Sequence, residues 1–172
     1  GFACMKQGPM DNVRRAPTDN DFLLGSEIAY AADWQATGLD KPLRRTVEQV
    51  SIVRGEQYVE MRTEAVLQPV DSKFRFHSTH HYRVQPNGTV EVEIRLDADE
   101  TLPQLARVGV ELILNPPLEQ VEWYGRGPFE NYPDRKSAAW IARHRSTVTN
   151  LFESCYIRPG ECGGREDVRW VA

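Results

Sequence analysis

The chain has 172 residues, 40% of them hydrophobic and 27% charged, with a formal net charge of −4 and a pI near 5.6. This is the balance of one globular domain; arginines scattered among glutamates give phosphates no basic face, and no apolar run is long enough for a membrane span. Three cysteines, Cys4, Cys155 and Cys162, form no CxxC pair, so a reducing, cytoplasmic setting is expected and a disulfide framework or thiolate metal site is not.

Residues 1–42 read as a loop-rich opening segment. Gly8-Pro9 and the run from Ala16-Pro17 to Asp21 are turn chemistry, because Pro fixes φ and Asx side chains bond to nearby backbone. Residues 26–34 predict a short helix capped by Ser26 and ended by Gly38. Period-two alternation begins at Leu43 and predicts antiparallel strands through residue 124. Residues 44–53 and 57–67 form one pair around Arg54-Gly55-Glu56. In the next strand, Phe74, Phe76, Tyr82 and Val84 share one face, and Arg75, His77, His81 and Arg83 share the other.

Pro86-Asn87-Gly88 supplies the strongest hairpin signal, with Val90, Val92, Ile94 and Leu96 expected to face inward. Further strands are expected at residues 105–114 and 121–124. From 125 to 172 the regularity fades into motif-rich loops and further strands, and the segment from Tyr124 to Arg135 is rich in Gly, Pro and aromatic residues. Strand following strand without alternating helices points to an all-β, antiparallel β-sandwich, read as a single domain over 1–172.

Few residues announce chemistry. No pair of carboxylates is singled out for acid–base work, since Asp and Glu fall mostly on the solvated sides of strands. His77, His80 and His81 suggest a metal, but their spacing and the lack of a third ligand favour a decorated strand face. No nucleophile elbow, phosphate loop or dinucleotide fingerprint is present. Two loops remain. The run from Arg15 to Asp21 offers an Arg fork, carboxylates and an amide, groups that hydrogen-bond vicinal hydroxyls. Trp34, Trp123, Tyr124, Phe129, Tyr132, Trp140 and Trp170 have rings that stack on a pyranose face. The plainer account, turns closed by Asx residues and cores filled by aromatics, is the favoured one.

Three longer segments carry a resemblance. Arg15-Ala16-Pro17-Thr18-Asp19-Asn20-Asp21, the run from Val121 through Trp123-Tyr124-Gly125-Arg126-Gly127-Pro128 to Asp134-Arg135, and the run from Tyr156-Ile157-Arg158-Pro159 to Asp167-Val168-Arg169-Trp170 resemble, in the same order, signatures of the C-terminal domain of glycoside hydrolase family 2 β-galactosidases. The resemblance implies a galactose mutarotase-like super-sandwich, present here as an incomplete portion. It places the acid/base and nucleophile glutamates of a retaining hydrolase, and its magnesium and sodium sites, in a barrel domain upstream. No catalytic, metal or cofactor residue is therefore expected in this chain, and the isolated chain is expected to be inactive.

It further implies partnership with the rest of the enzyme chain or a large subunit, in a homo-oligomer acting on β-galactosides. A substrate-proximal loop falls on Asp19, Asn20, Asp21, Phe22, Leu23, Leu24, Gly25, Ser26 and Glu27, with Gly25 as a hinge; the three apolar residues before Gly25 depart from the family's pattern. Two rival readings stand beside this one. A free-standing carbohydrate-binding or mutarotase-like module would bring His80 or His81 and a carboxylate together on a concave sheet face. A purely scaffolding domain would only hold subunits together. An incomplete sandwich is also expected to leave residues near Asp167 to Trp170 disordered or paired with a neighbouring copy.

Overall fold

A strand sends successive side chains to opposite faces, so period-two alternation becomes a two-faced sheet wherever neighbours pair. The computed structural model describes residues 5–22, 29–156 and 160–172. It contains β1 (Met5–Asn12), a single turn α1 (Asp19–Phe22), α2 (Tyr30–Thr37), β2 (Leu43–Arg54), β3 (Val59–Pro69), β4 (Phe76–Val84) and β5 (Val90–Ala98). Beyond these lie β6 (Gly109–Leu114), β7 (Gln120–Gly127), β8 (Trp140–Thr147) and the short β9 (Trp170–Val171). They form sheets ordered β1-β6, β2-β3-β4-β5 and β8-β7-β9. The fold class is all-β, with the antiparallel sheets of a β-sandwich. Two compact units result: Asp11–Arg15 with Asp21–Val110, and Gly1–Met10 with Ala16–Asn20 and Glu111–Ala172.

In the unit containing β2–β5, the sheet registers put Leu67 and Phe76, Ala65 and Ser78, Thr63 and His80, Met61 and Tyr82, and Val59 and Val84 side by side on one face. The first three of these rows are buried. They close against a cluster of Val13, Ala31, Trp34 and Leu39, with Trp34 as its largest member. The Trp34 indole donates to the Gln104 carbonyl at 2.8 Å, so the ring is buried without losing its hydrogen bond. Truncating such a ring costs on the order of 3–5 kcal/mol.

One buried polar group crosses this core. Asp11 accepts from the Ser78 hydroxyl at 3.0 and 2.9 Å and from His80 Nε2 at 2.9 Å. The carboxylate only accepts, so Nε2 carries the proton, and in the neutral ring Nδ1 receives the Tyr82 hydroxyl at 2.8 Å. With both side chains 2% exposed, removing either partner would strand the other in apolar surroundings.

Two local devices set the register. Between Val47 and Gln49 the pairing slips by one residue, a β-bulge that returns Val50 and Ile52 to the face carrying Val47. At the hairpin the Gly88 N–H donates to the Gln85 carbonyl at 3.0 Å, and Gln85 donates to Thr89 at 2.9 Å. Gly88 has φ +86, whereas Asn87 does not have positive φ. This is a type I turn with Pro at its second position followed by a left-handed Gly, not the Asn-Gly mirror turn that the sequence suggests. The expected antiparallel hairpin is otherwise observed, with Val84 opposite Val90 and His80 opposite Ile94.

Several expectations are corrected. The opening segment holds a strand, β1, where Gly8-Pro9 suggested only a turn; Pro is tolerated because a two-stranded sheet is all edge. Helix α2 has Ala29 as its N-cap, not Ser26, which lies outside the described residues, and it closes on Gly38 as expected. The strand expected from 105 begins at Gly109. Residues 140–147 form one of the further strands expected after residue 125, at a position the sequence did not single out. The residues from Asp167 to Trp170 are neither disordered nor left for a neighbouring copy: Arg169 N–H donates to the Tyr124 carbonyl at 2.8 Å, and Trp170 pairs with Tyr124 in β7.

Because nothing lies within 4 Å of a Cβ built on Gly88, only its backbone conformation resists substitution. Gly88→Ala is expected to lower stability by about 1 kcal/mol, and Asn87→Ala by less. Urea unfolding of the two variants checks this. Equal effects would mean that both residues carry the turn's strain.

Candidate functional site

The loop from Arg15 to Asp21 is held by an ion pair. Arg15 grips the buried Asp21 carboxylate through two nitrogens, at 2.6 and 3.0 Å, and its guanidinium lies 5.3 Å above the Trp34 ring. A bidentate, largely desolvated pair stacked on an indole is a positioning device: it fixes where the chain leaves α1. Asp21 thus serves the fold, while Phe22 is exposed. Leu23, Leu24, Gly25, Ser26 and Glu27 of the expected substrate-proximal loop lie outside the described residues.

In the other unit the two remaining signature segments lock together. Glu130, 8% exposed, accepts from the Tyr156 hydroxyl, from Arg135 and from the Gly163 N–H, the last at 2.9 Å. Fully buried Asn131 accepts the Glu166 N–H at 2.7 Å and donates to the Phe129 carbonyl at 3.0 Å, while its N–H meets the Gly164 carbonyl at 2.8 Å. Arg126 pairs with Asp167 at 2.6 Å and also donates to the Lys136 and Ala139 carbonyls. Buried Trp123 donates to the Arg126 carbonyl at 2.9 Å, with the Arg165 guanidinium 5.4 Å from its ring. At Gly127 a Cβ would meet the Trp123 and His144 rings at 2.9 Å, so the close packing of those rings requires glycine. These charged and aromatic residues fasten loop to loop instead of presenting groups to a ligand.

Of the aromatics singled out for stacking, Trp34 and Trp123 are buried. Tyr124, Phe129, Trp140 and Trp170 are exposed, in two pairs: Tyr124 stacked with Trp170 and Phe129 edge-on to Trp140, each with centroids 6.4 Å apart.

The polar face of the β2–β5 sheet carries a half-open cleft of about 530 Å³. Glu60, Arg62, Thr79, His81, Glu93 and Arg95 are among its lining residues. His81 Nε2 stands 3.9 Å from Glu60 Oε2, and Arg83 holds the other Glu60 oxygen at 2.7 Å. His81, not His80, is therefore the histidine that meets a carboxylate on an open face. Strand alternation gave the sidedness of His81 in sequence, but Glu60 and Ser51 join it only through cross-strand register. Among the described residues, no group of three or more His, Cys, Asp or Glu is placed to hold a metal ion.

The lock has an acid-sensitive member. Burial raises the pKa of Glu130, but hydrogen bonds from Tyr156, the Gly163 N–H and Arg135 outweigh it and hold the carboxyl below its ordinary value. A depressed folded pKa contributes stability that is present above the unfolded pKa, about 4.3, and lost as pH falls through the folded one. Glu130→Gln is therefore expected to flatten the loss of stability below about pH 4.3. Unfolding midpoints across that range give the comparison, and an unchanged pH slope would remove Glu130 from the acid response.

With this geometry in view, comparison with known proteins is specific. A family model described as "Beta galactosidase small chain" matches residues 2–172. Proteins named β-galactosidase from Psychromonas ingrahamii, Priestia megaterium and Vibrio cholerae are 36%, 32% and 34% identical to it, over 95%, 97% and 92% of this chain. The chain spans only 15–16% of the length of these relatives. Together, a match over nearly every residue and relatives of one name establish that the chain belongs to the β-galactosidase small-chain family.

Proposed function

We propose that the chain is the C-terminal-domain segment of a cytoplasmic β-D-galactosidase that hydrolyses terminal β-galactosides with retention of configuration. The observation that carries the reading is the family match over residues 2–172 against relatives of which this segment is a small part. The chemistry would belong to the rest of the enzyme, where two glutamates act in double displacement: one protonates the leaving oxygen while the other attacks the anomeric carbon. The magnesium and sodium expected of such an enzyme belong to its barrel, and no residue of this chain is assigned to them.

This segment would supply a wall of the substrate pocket through the loop that follows Asp21, together with packing against the rest of the enzyme. The Arg15–Asp21 clamp supports that role, because a loop lining a pocket needs a fixed point of departure. Large and small chains, or a single chain, would assemble as a homo-oligomer.

The cleft around His81 favours a second reading, a carbohydrate-binding module. Its imidazole and carboxylate offer a donor and an acceptor within reach of one hydroxylated ring.

The full-length protein is expected to hydrolyse a chromogenic β-galactoside, and the 172-residue chain to show no turnover above background. Turnover by the isolated chain that disappears on mutating one of its own Asp or Glu residues would reverse the assignment. Galactose titrated into the chain, followed by the NMR signals of His81, is expected to cause no saturable shift. A saturable shift abolished by His81→Ala would establish the binding module instead.

A further inference from the structure

The Asn87-Gly88 pair at the hairpin has a chemistry of its own besides its turn. Of the six asparagines in the chain, only Asn87 precedes a glycine; the others precede Val13, Asp21, Pro116, Tyr132 and Leu151. A main-chain nitrogen can attack the side-chain amide carbon of the asparagine before it and close a five-membered ring. A side chain on the attacking residue obstructs that approach, and proline has no N–H to lose. Gly88 alone brings a nitrogen without a Cβ beside it.

The hairpin presents this pair to the reaction. Asn87 and Gly88 are both exposed, and nothing lies within 4 Å of a Cβ built on Gly88, so water reaches the turn and the ring has room to form. The Thr89 N–H donates to Asn87 Oδ1 at 2.9 Å. That bond polarises the amide carbonyl, and it meets the negative charge that the oxygen takes up when the carbon is attacked. One bond holds the nucleophile back, from the Gly88 N–H to the Gln85 carbonyl at 3.0 Å. A single bond in an exposed turn opens at little cost.

From this geometry we propose that Asn87 is a site of spontaneous deamidation, converted in the folded protein to isoaspartate and aspartate. The Gly88 nitrogen gives up its proton and bonds to Asn87 Cγ; the Cγ–Nδ2 bond breaks, ammonia leaves and a succinimide remains. Water then opens the ring. Opening at the main-chain carbonyl gives isoaspartate, and opening at the side-chain carbonyl gives aspartate. The isoaspartyl product routes the chain through Cβ, adding one carbon to the backbone inside the turn. The bonds from Gly88 to Gln85 and from Gln85 to Thr89 are spaced for an ordinary peptide, so the modification loosens the closure that sets β4 against β5.

Peptide mapping of the full-length protein, warmed in mildly alkaline buffer, tests this. Asn87 is expected to convert at least about tenfold faster than any other asparagine of these 172 residues, with isoaspartate detected by an isoaspartyl methyltransferase. Gly88→Ala is expected to slow the conversion by at least about tenfold. Because this variant weakens the turn, easier opening would speed the reaction, so a slower rate reports the obstructed nitrogen and not a change in folding. Aspartate without isoaspartate would overturn the proposal, since direct hydrolysis passes through no ring. Conversion at Asn87 no faster than at the other asparagines would also overturn it, as would conversion confined to protein unfolded in urea.

Discussion

The alternation of side chains across β2–β5 is the constraint on which the rest of this molecule depends. It sends charged side chains one way and β-branched and aromatic side chains the other, and a slip of one residue would exchange them. Two features hold the register. The type I turn closing on Gly88 sets β4 against β5, and the bulge before Gln49 corrects β2 against β3. The buried Asp11–His80 pair adds a polar specification inside the apolar layer, since the Ser78 hydroxyl and the His80 imidazole find their acceptor only in this register.

In the other unit the organising force is polar. A long connection without regular structure must satisfy its backbone groups by other means. Glu130 and Asn131 do this by accepting the Gly163 and Glu166 amides, and Arg126 does it by donating to two carbonyls while pairing with Asp167. A segment rich in Arg, Glu, Asn and aromatic residues therefore looks like a ligand site in sequence and behaves as a fastening in the fold. The Arg15–Asp21 clamp follows the same logic beside the expected substrate loop.

What could be read from the sequence follows from these two regimes. Strands β2 to β5 were legible because each has a polar and an apolar side of its own. Strand β8 was not: its inward residues opposite β7 are Ala142, His144 and Ser146, small or polar beside the bulky ring of Trp123, while Ile141 faces out. Strand β1 was hidden by Gly8-Pro9, and β9 exists only through pairing with β7. Motif resemblance identified the family where composition and spacing left the loops ambiguous. It also named the Arg15–Asp21 loop as a feature to watch without revealing that Asp21 is committed to Arg15. The His81–Glu60 approach needed register, since the two residues are far apart in sequence.

Magnitudes separate the two faces of the sheet as places for a partner. On the polar side the arginines already hold carboxylates: Arg83 with Glu60, Arg62 with Glu64 and Arg95 with Asp97. Such solvated pairs contribute little, and a ligand that displaced them would gain little for the hydrogen bonds it broke. On the apolar side, full burial of a Val or Ile is worth on the order of 1.5–3 kcal/mol, so completing the burial of half-exposed Val47, Val50, Ile52, Val59, Val84 and Val92 offers several kcal/mol. That is comparable with the whole stability of a small domain. The strongest unmet demand in this chain is thus for another apolar surface, not for a polar ligand, which favours a part of a larger enzyme over a free-standing binding module.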